Sequence, residues 1–111
     1  AVDMIRFWAA LLEGRIVSPE TRDSMFETLY PMFDETSFYG LGTMVFEIAD
    51  GRNRLLLLGQ SGGAPGANAI VAYSPSDRII VAVAINSDAP APAVANLMLR
   101  TARDQASQPG Q

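Results

Sequence analysis

A chain of 111 residues with 49% hydrophobic and 18% charged residues is the size of one domain and too apolar to stay disordered, and it can bury roughly two-thirds of its unfolded surface. Its net charge of -4, from 12 acidic and 8 basic residues without a basic run, argues against a nucleic-acid partner. With no cysteine and no histidine, disulfides, thiolate metal sites, an ordinary zinc site and a complete Ser-His-Asp triad are all excluded, so no metal or cofactor is expected.

"AVDMIRFWAALLEG" places Met4, Ile5, Trp8, Leu11 and Leu12 at helical spacing, with Gly14 as the expected C-terminal cap. No capping residue precedes the first turn, and the natural cap is expected upstream. A second helix is predicted from "SPETRDSMFETLY", with Ser18 as cap, Pro19 in the first turn, Glu20 complementing the dipole and Pro31 as the stop. Met25, Phe26 and Leu29 are its expected buried face.

The periodicity then becomes that of strands. "FYGLGTMVFEIA" reads as one strand, Asp50-Gly51 as a tight turn, and "RNRLLLLG" as the second strand. The glycine-rich "GQSGGAPG" reads as a turn into "NAIVAYS", and Pro75-Ser76-Asp77 as a turn into "RIIVAVAIN", an apolar run expected to be buried on both faces. "APAVANLMLRTARDQ" closes the chain with a helix whose predicted inner face is Val94, Leu97, Met98 and Thr101, followed by a frayed tail from about residue 104 to 111. The expectation is one α+β domain over residues 1–111: two helices, a four-stranded antiparallel sheet and a C-terminal helix. No apolar run approaches the length of a membrane span, and no signal peptide opens the sequence.

"DMIRFWAALLEGRIVSPET", "YGLG" and "GQSGGAPGANAIVAYSPSDRIIVAVAINS", in that order, resemble the C-terminal section of the serine beta-lactamase and penicillin-binding protein superfamily. The branch they are most similar to holds class C-like beta-lactamases, esterases and D-alanyl-D-alanine carboxypeptidases. The resemblance implies a partial beta-lactamase-like fold, a full protein longer than this chain, and a periplasmic or secreted location. It also implies an acyl-enzyme mechanism whose nucleophile lies in a Ser-x-x-Lys motif, followed by a Tyr-x-Asn-like motif. None of the serines here has Lys at the third following position, and the chain has no Lys. Both motifs are therefore expected upstream, and this chain alone is expected to be inactive.

The family's third motif, Lys or His, then Ser or Thr, then Gly, falls on Gln60, Ser61 and Gly62. The resemblance implies that Ser61 bonds substrate or the catalytic network, that Gly62 keeps the strand edge clear, and that the Gly63 N–H is an oxyanion-hole donor. Gln60 departs from the pattern, because a neutral amide donates hydrogen bonds but supplies no positive charge. This shifts weight from beta-lactam hydrolysis toward ester or peptide substrates. The alternative reading is a non-catalytic or pseudoenzyme module that holds a peptide or partner chain on the strand edge at residues 59–66. A proteolytic or engineered fragment is a third reading. Partners implied are an acyl, ester, beta-lactam or peptide substrate, and an upstream segment or second chain along the edge of "RIIVAVAIN".

Other residues read as structural. Tyr39 is taken as a packing residue, Gly40 and Gly42 as sites of close backbone approach, and Asn86 as a turn residue. Phe7 with Trp8 and Met25 with Phe26 suit a core. Asp3 with Glu13, and Asp34 with Glu35, are read as solvated charges.

Overall fold

The computed structural model describes residues 1–32, 34, 36–50 and 53–107. Helix α1 runs over Val2–Leu12 and ends in the glycine cap that the sequence predicts. Gly14 takes φ +76°, its N–H meets Leu11 O, and the Arg15 N–H reaches Ala10 O, the paired bonds of a Schellman motif. Trp8 and Leu11 are buried, whereas Met4 is exposed, so only part of the expected face is used.

Helix α2, Pro19–Ser24, begins as predicted, with the Ser18 hydroxyl accepting from Thr21 N and proline in the first turn. It stops well before Pro31. The carbonyl of Met25 accepts from Leu41 N at 2.9 Å and from Thr43 Oγ1 at 3.1 Å. Tertiary donors thus occupy an oxygen that a continuing helix would use. Met25 and Phe26 still pack against the core.

The sheet has six strands rather than four, in the order β1 (Tyr30–Pro31), β2 (Ser37–Tyr39), β3 (Met44–Asp50), β4 (Asn53–Ala64), β5 (Ala67–Ser74) and β6 (Ile79–Ile85). All neighbours are antiparallel. One additional strand arises because "FYGLGTMVFEIA" is a hairpin that supplies β2 and β3, and the other is the two-residue β1, which pairs with β2. Gly42 has φ +70°, the Gly40 N–H closes the turn on Thr43 O at 2.7 Å, and a Cβ on Gly40 would overlap the Met25 carbonyl oxygen. The Asp50-Gly51 turn reaches beyond the described residues, although Asp50 and Asn53 are in register on either side of it.

Of the two readings of "GQSGG", a turn by composition and a strand edge by resemblance, the structure has the strand. "GQSGG" is strand, because β4 continues through Ala64 and the turn into β5 is confined to Pro65 and Gly66. Proline suits the first turn position, and Gly66 at φ +82° suits the second.

The sheet is covered on both faces. Leu57, Ile70, Ala72 and Val81 pack with α3 (Ala91–Ala106) on one side. Val71, Ile80 and Ala82 pack with α1 and the segment after α2 on the other. Strand β6 thus alternates between two packed faces, as its unbroken apolar run predicts. Helix α3 turns a different face inward from the expected one: Ala91, Ala95 and Leu99 are buried, while Val94, Leu97 and Met98 are exposed. Small alanines let the helix axis approach the sheet closely, and the larger side chains are left outside. The helix extends to Ala106, past the start of the expected frayed tail; residues 108–111 lie outside the described ones.

Candidate functional site

Strand β4 is longer than its neighbour β3, and the site follows from that. Pairing with β3 ends at Met44 opposite Gly59, whereas pairing with β5 continues from Gln60 to Ala64. Over Gln60–Ala64, β4 therefore has a paired edge and an open edge among the described residues. The two-residue turn makes Ala64 and Ala67 a hydrogen-bonded pair. Even-numbered residues of this stretch then direct N–H and C=O toward β5, and odd-numbered ones toward the open edge. Ser61 and Gly63 are the odd-numbered residues there.

Side chains separate onto the two faces. Gln60 and Gly62 look toward α1, and a Cβ built on Gly62 meets nothing within 4 Å. The space is a cavity of about 430 Å³ between the first turns of α1 (Met4, Phe7 and Trp8) and small residues of the sheet, Ala69, Ala82 and Ala84. No ionisable side chain lines it. Ser61 lies on the opposite face, with its hydroxyl 3.5 Å from the Met44 sulfur. The expected site residues are thus contiguous along one edge, but the Ser61 hydroxyl and the Gln60 amide are not on one side of the sheet.

Gln60 is engaged by the protein itself. Its Nε2 donates to Tyr39 Oη at 3.1 Å and to Gly42 O at 3.3 Å, while its Oε1 accepts from Ser61 N at 3.1 Å. The side chain thus replaces the ladder bonds that β3 stops providing. Tyr39 packs in β2 as expected and also reaches the site through its hydroxyl, a contact across 21 residues that no local pattern announces.

The far end of the open edge is fastened from β5. Asn68 Nδ2 donates to Ser87 O at 3.4 Å and to Ala89 O at 3.1 Å, and its Oδ1 occupies the place a Cβ on Gly63 would take. Asp88 Oδ1 accepts from Gly66 N at 2.7 Å. The loop after β6, which begins at Asn86, thereby holds the hairpin tip. Neither Asn68 nor Asp88 carries a sequence signal beyond being polar beside a turn.

The acidic residues stand apart from this site. Asp3 faces Arg6 at 3.9 Å and Glu13 faces Arg15 at 2.8 Å on the surface. Asp34 accepts from the Thr36 N–H and hydroxyl, bonds that hold its carboxyl below the usual carboxylate range; Glu35 lies outside the described residues. Asp77 is lowered first by the Ser74 hydroxyl and then by Arg103, against the opposing effect of burial. Among the described residues, no group of three acidic side chains converges to hold a metal ion, and no helix is long and apolar enough to cross a membrane.

No protein-family profile matches the sequence, and no curated protein matches it significantly. Two solved chains match the structure. One is a penicillin binding protein from Bacillus halodurans, with a TM-score of 0.73 and 21% identity over 91% of this chain. The match covers 30% of that protein, so this chain spans under a third of its length. An α+β architecture with an antiparallel sheet, superposing on that protein at this score, gives the chain a beta-lactamase/penicillin-binding-protein-like fold.

Proposed function

We propose that the chain is the sheet-forming C-terminal part of a serine hydrolase that works through an acyl-enzyme, with the nucleophile and its base contributed by sequence upstream of Ala1. The observation that carries this reading is the open edge of β4 past Gly59, where the Gly63 N–H is directed to the side on which a substrate strand would lie. A fixed backbone donor there is suited to a developing oxyanion, because it needs no reorganisation as charge forms. Gly62 leaves free space beside it, as close approach of an acyl group requires. Ser61 supplies a hydroxyl at the end of β3, and Gln60 fixes the adjoining turn.

The neutral, internally bonded Gln60 favours a second reading, in which the same edge holds a peptide or partner chain without turnover. One experiment separates the two. The chain expressed with its natural upstream sequence is incubated with a chromogenic cephalosporin or a p-nitrophenyl ester, and trapped adducts are located by mass spectrometry. The proposal expects an acyl group on an upstream serine. A protein that binds these compounds but never carries an adduct belongs to the second reading.

A further inference from the structure

We infer that the cavity between α3 and the β3–β4 side of the sheet is a binding site for an uncharged, largely apolar small molecule carrying a carboxamide, which pairs with the side chain of Asn96. This cavity lies across the sheet from the space beside Gly62, and the inference does not depend on the hydrolase reading.

The cavity follows from how α3 is seated. Ala91 and Ala95 bring the helix down onto β5 and β6, and one helix, about 10 Å across, spans only about two strands at their spacing of about 4.8 Å. The same face of β3 and β4 is left beside the helix, with Phe46, Ile48 and Leu55 only partly buried. The space between has a volume of about 440 Å³, within the range of small-molecule sites. Its floor is Phe46, Leu57, Ile70 and Val81, and one wall is the flank of α3 that carries Pro92 and Asn96.

Charge and hydrogen bonding define what fits. Among the described residues, Glu47 is the only ionisable one on the lining, and strand alternation puts its side chain on the other face of β3, where the carboxylate accepts from Arg54 Nη1 at 2.9 Å. No charge therefore faces the cavity, and an ion entering it would lose hydration without gaining a counter-charge. Thr36, Ser37 and Ser61 add only neutral hydroxyls. Asn96 Oδ1 is buried and accepts no hydrogen bond among the described residues. Asparagine is also a poor helix former at this interior position of the alanine-rich α3. A residue that neither favours its helix nor finds a partner within the protein is suited to a partner from outside. A carboxamide is the matching group: its N–H donates to Oδ1 while its C=O accepts from Nδ2 of the same side chain, and the pairing works whichever way the Asn96 amide is turned.

The test is an NMR titration of the protein with its upstream sequence, using three probes of one shape: naphthalene-2-carboxamide, 2-acetylnaphthalene, which lacks the N–H, and naphthalene-2-carboxylate, which is charged. The carboxamide should shift the methyl signals of Ile48, Leu57 and Leu99, which line the cavity, and leave the indole of Trp8, packed on the other face, unmoved. The ketone should bind roughly tenfold more weakly, because it leaves the buried Oδ1 unmet, and the carboxylate no better than the ketone. Asn96→Leu keeps the size of the side chain and removes its amide. It should bring carboxamide and ketone to within about twofold of each other while the ketone's own affinity is kept. Should that variant fail to fold, Asn96→Ala, which favours the helix, takes its place with the same expectation. No binding of the carboxamide, shifts centred on Trp8, equal binding of all three probes, or a preference for the carboxamide that survives substitution of Asn96 overturns the inference. Acyl-adduct formation is read separately, so this inference and the hydrolase proposal can each fail alone.

Discussion

Gly59 lies directly against the carbonyl oxygen of Val71 on the neighbouring strand, so closely that a Cβ there would overlap it. Gly62, three residues along the same strand, has open space where its Cβ would be. Two glycines of one short motif therefore serve different purposes: the first lets β4 and β5 close, and the second leaves a cleft clear.

Substitutions at the two should separate stability from chemistry. Gly59→Ala should destabilise the chain by about 3 kcal/mol, the upper end for overpacking, because the obstructing atom is backbone. Gly62→Ala should change stability by no more than about 0.5 kcal/mol. Urea unfolding of both variants checks this, and equal losses would contradict the assigned geometry. In the protein with its upstream sequence, Gly62→Val should lower acylation on the order of 100-fold by misplacing the acyl group, with the melting temperature nearly kept.

The chain alone should hydrolyse neither a chromogenic cephalosporin nor a p-nitrophenyl ester. Nucleophilic catalysis needs a nucleophile and an activating base within hydrogen-bond reach. Here Ser74 is bound to Asp77 deep under α3, and Ser61 faces a methionine sulfur. A covalent acyl group on any serine of the isolated chain, seen by mass spectrometry, would refute this.

Strand β6 ends the sheet order. By the same alternation that applies to β4, Ile80, Ala82 and Ala84 direct their backbone groups to its outer edge. An apolar edge of this length invites strand addition. The isolated chain should associate with rising concentration in light scattering, and the amides of these three residues should exchange more slowly in the associated form. Ala84→Pro removes an outward donor at an exposed position and should lower association without loss of ladder bonds. A wild-type chain that stays monomeric at high concentration would count against the proposal.

Asp77 joins the β5–β6 turn to α3, accepting from Ser74 Oγ at 2.8 Å and Arg103 Nη2 at 2.9 Å. Its folded-state carboxyl titrates below the ordinary 3.8, so its stabilisation is complete above that value and is lost as pH falls through the folded one. Asp77→Asn should cost about 1–2 kcal/mol at neutral pH, as expected for partly exposed charge-assisted bonds. Its unfolding curve should converge with that of the wild type as the pH is lowered below 3.8. A difference that persists unchanged into acid would exclude the ionised carboxylate as its source.

The sequence makes the helix ends and the two-faced strands plain, because caps and periodicity are local. Gly14 and Ser18 act where their residue types predict. The expected length of the second helix fails because the Met25 carbonyl is taken by donors 16 and 18 residues away. The inner face of the last helix is misjudged for a related reason: hydrophobicity ranks Leu97 and Met98 above Ala91 and Ala95, whereas close packing on a sheet rewards small side chains. At the candidate site, the stretch Gln60–Gly63 stands out in the sequence, and the family resemblance puts it on a strand edge, whereas local composition alone reads it as a turn. Turn-forming glycines and edge-strand glycines have the same composition, and only the register with Met44 tells them apart. The partnership of Gln60 with Tyr39 is equally invisible, since it depends on where β3 stops.

That stopping point also says what sets the position of the cleft. The cleft exists because one strand has 12 residues and the next has 7, a mismatch in length rather than a special side chain. Inserting two strand residues just before Met44 would carry pairing on to Ser61 and cover the edge from within, with every residue of "GQSGG" unchanged. Shortening β3 by the same amount would move the opening back toward Leu57, among leucines. Variation in the length of the β2–β3 hairpin is therefore a route by which this scaffold can open, shift or close a free strand edge while its core stays as it is.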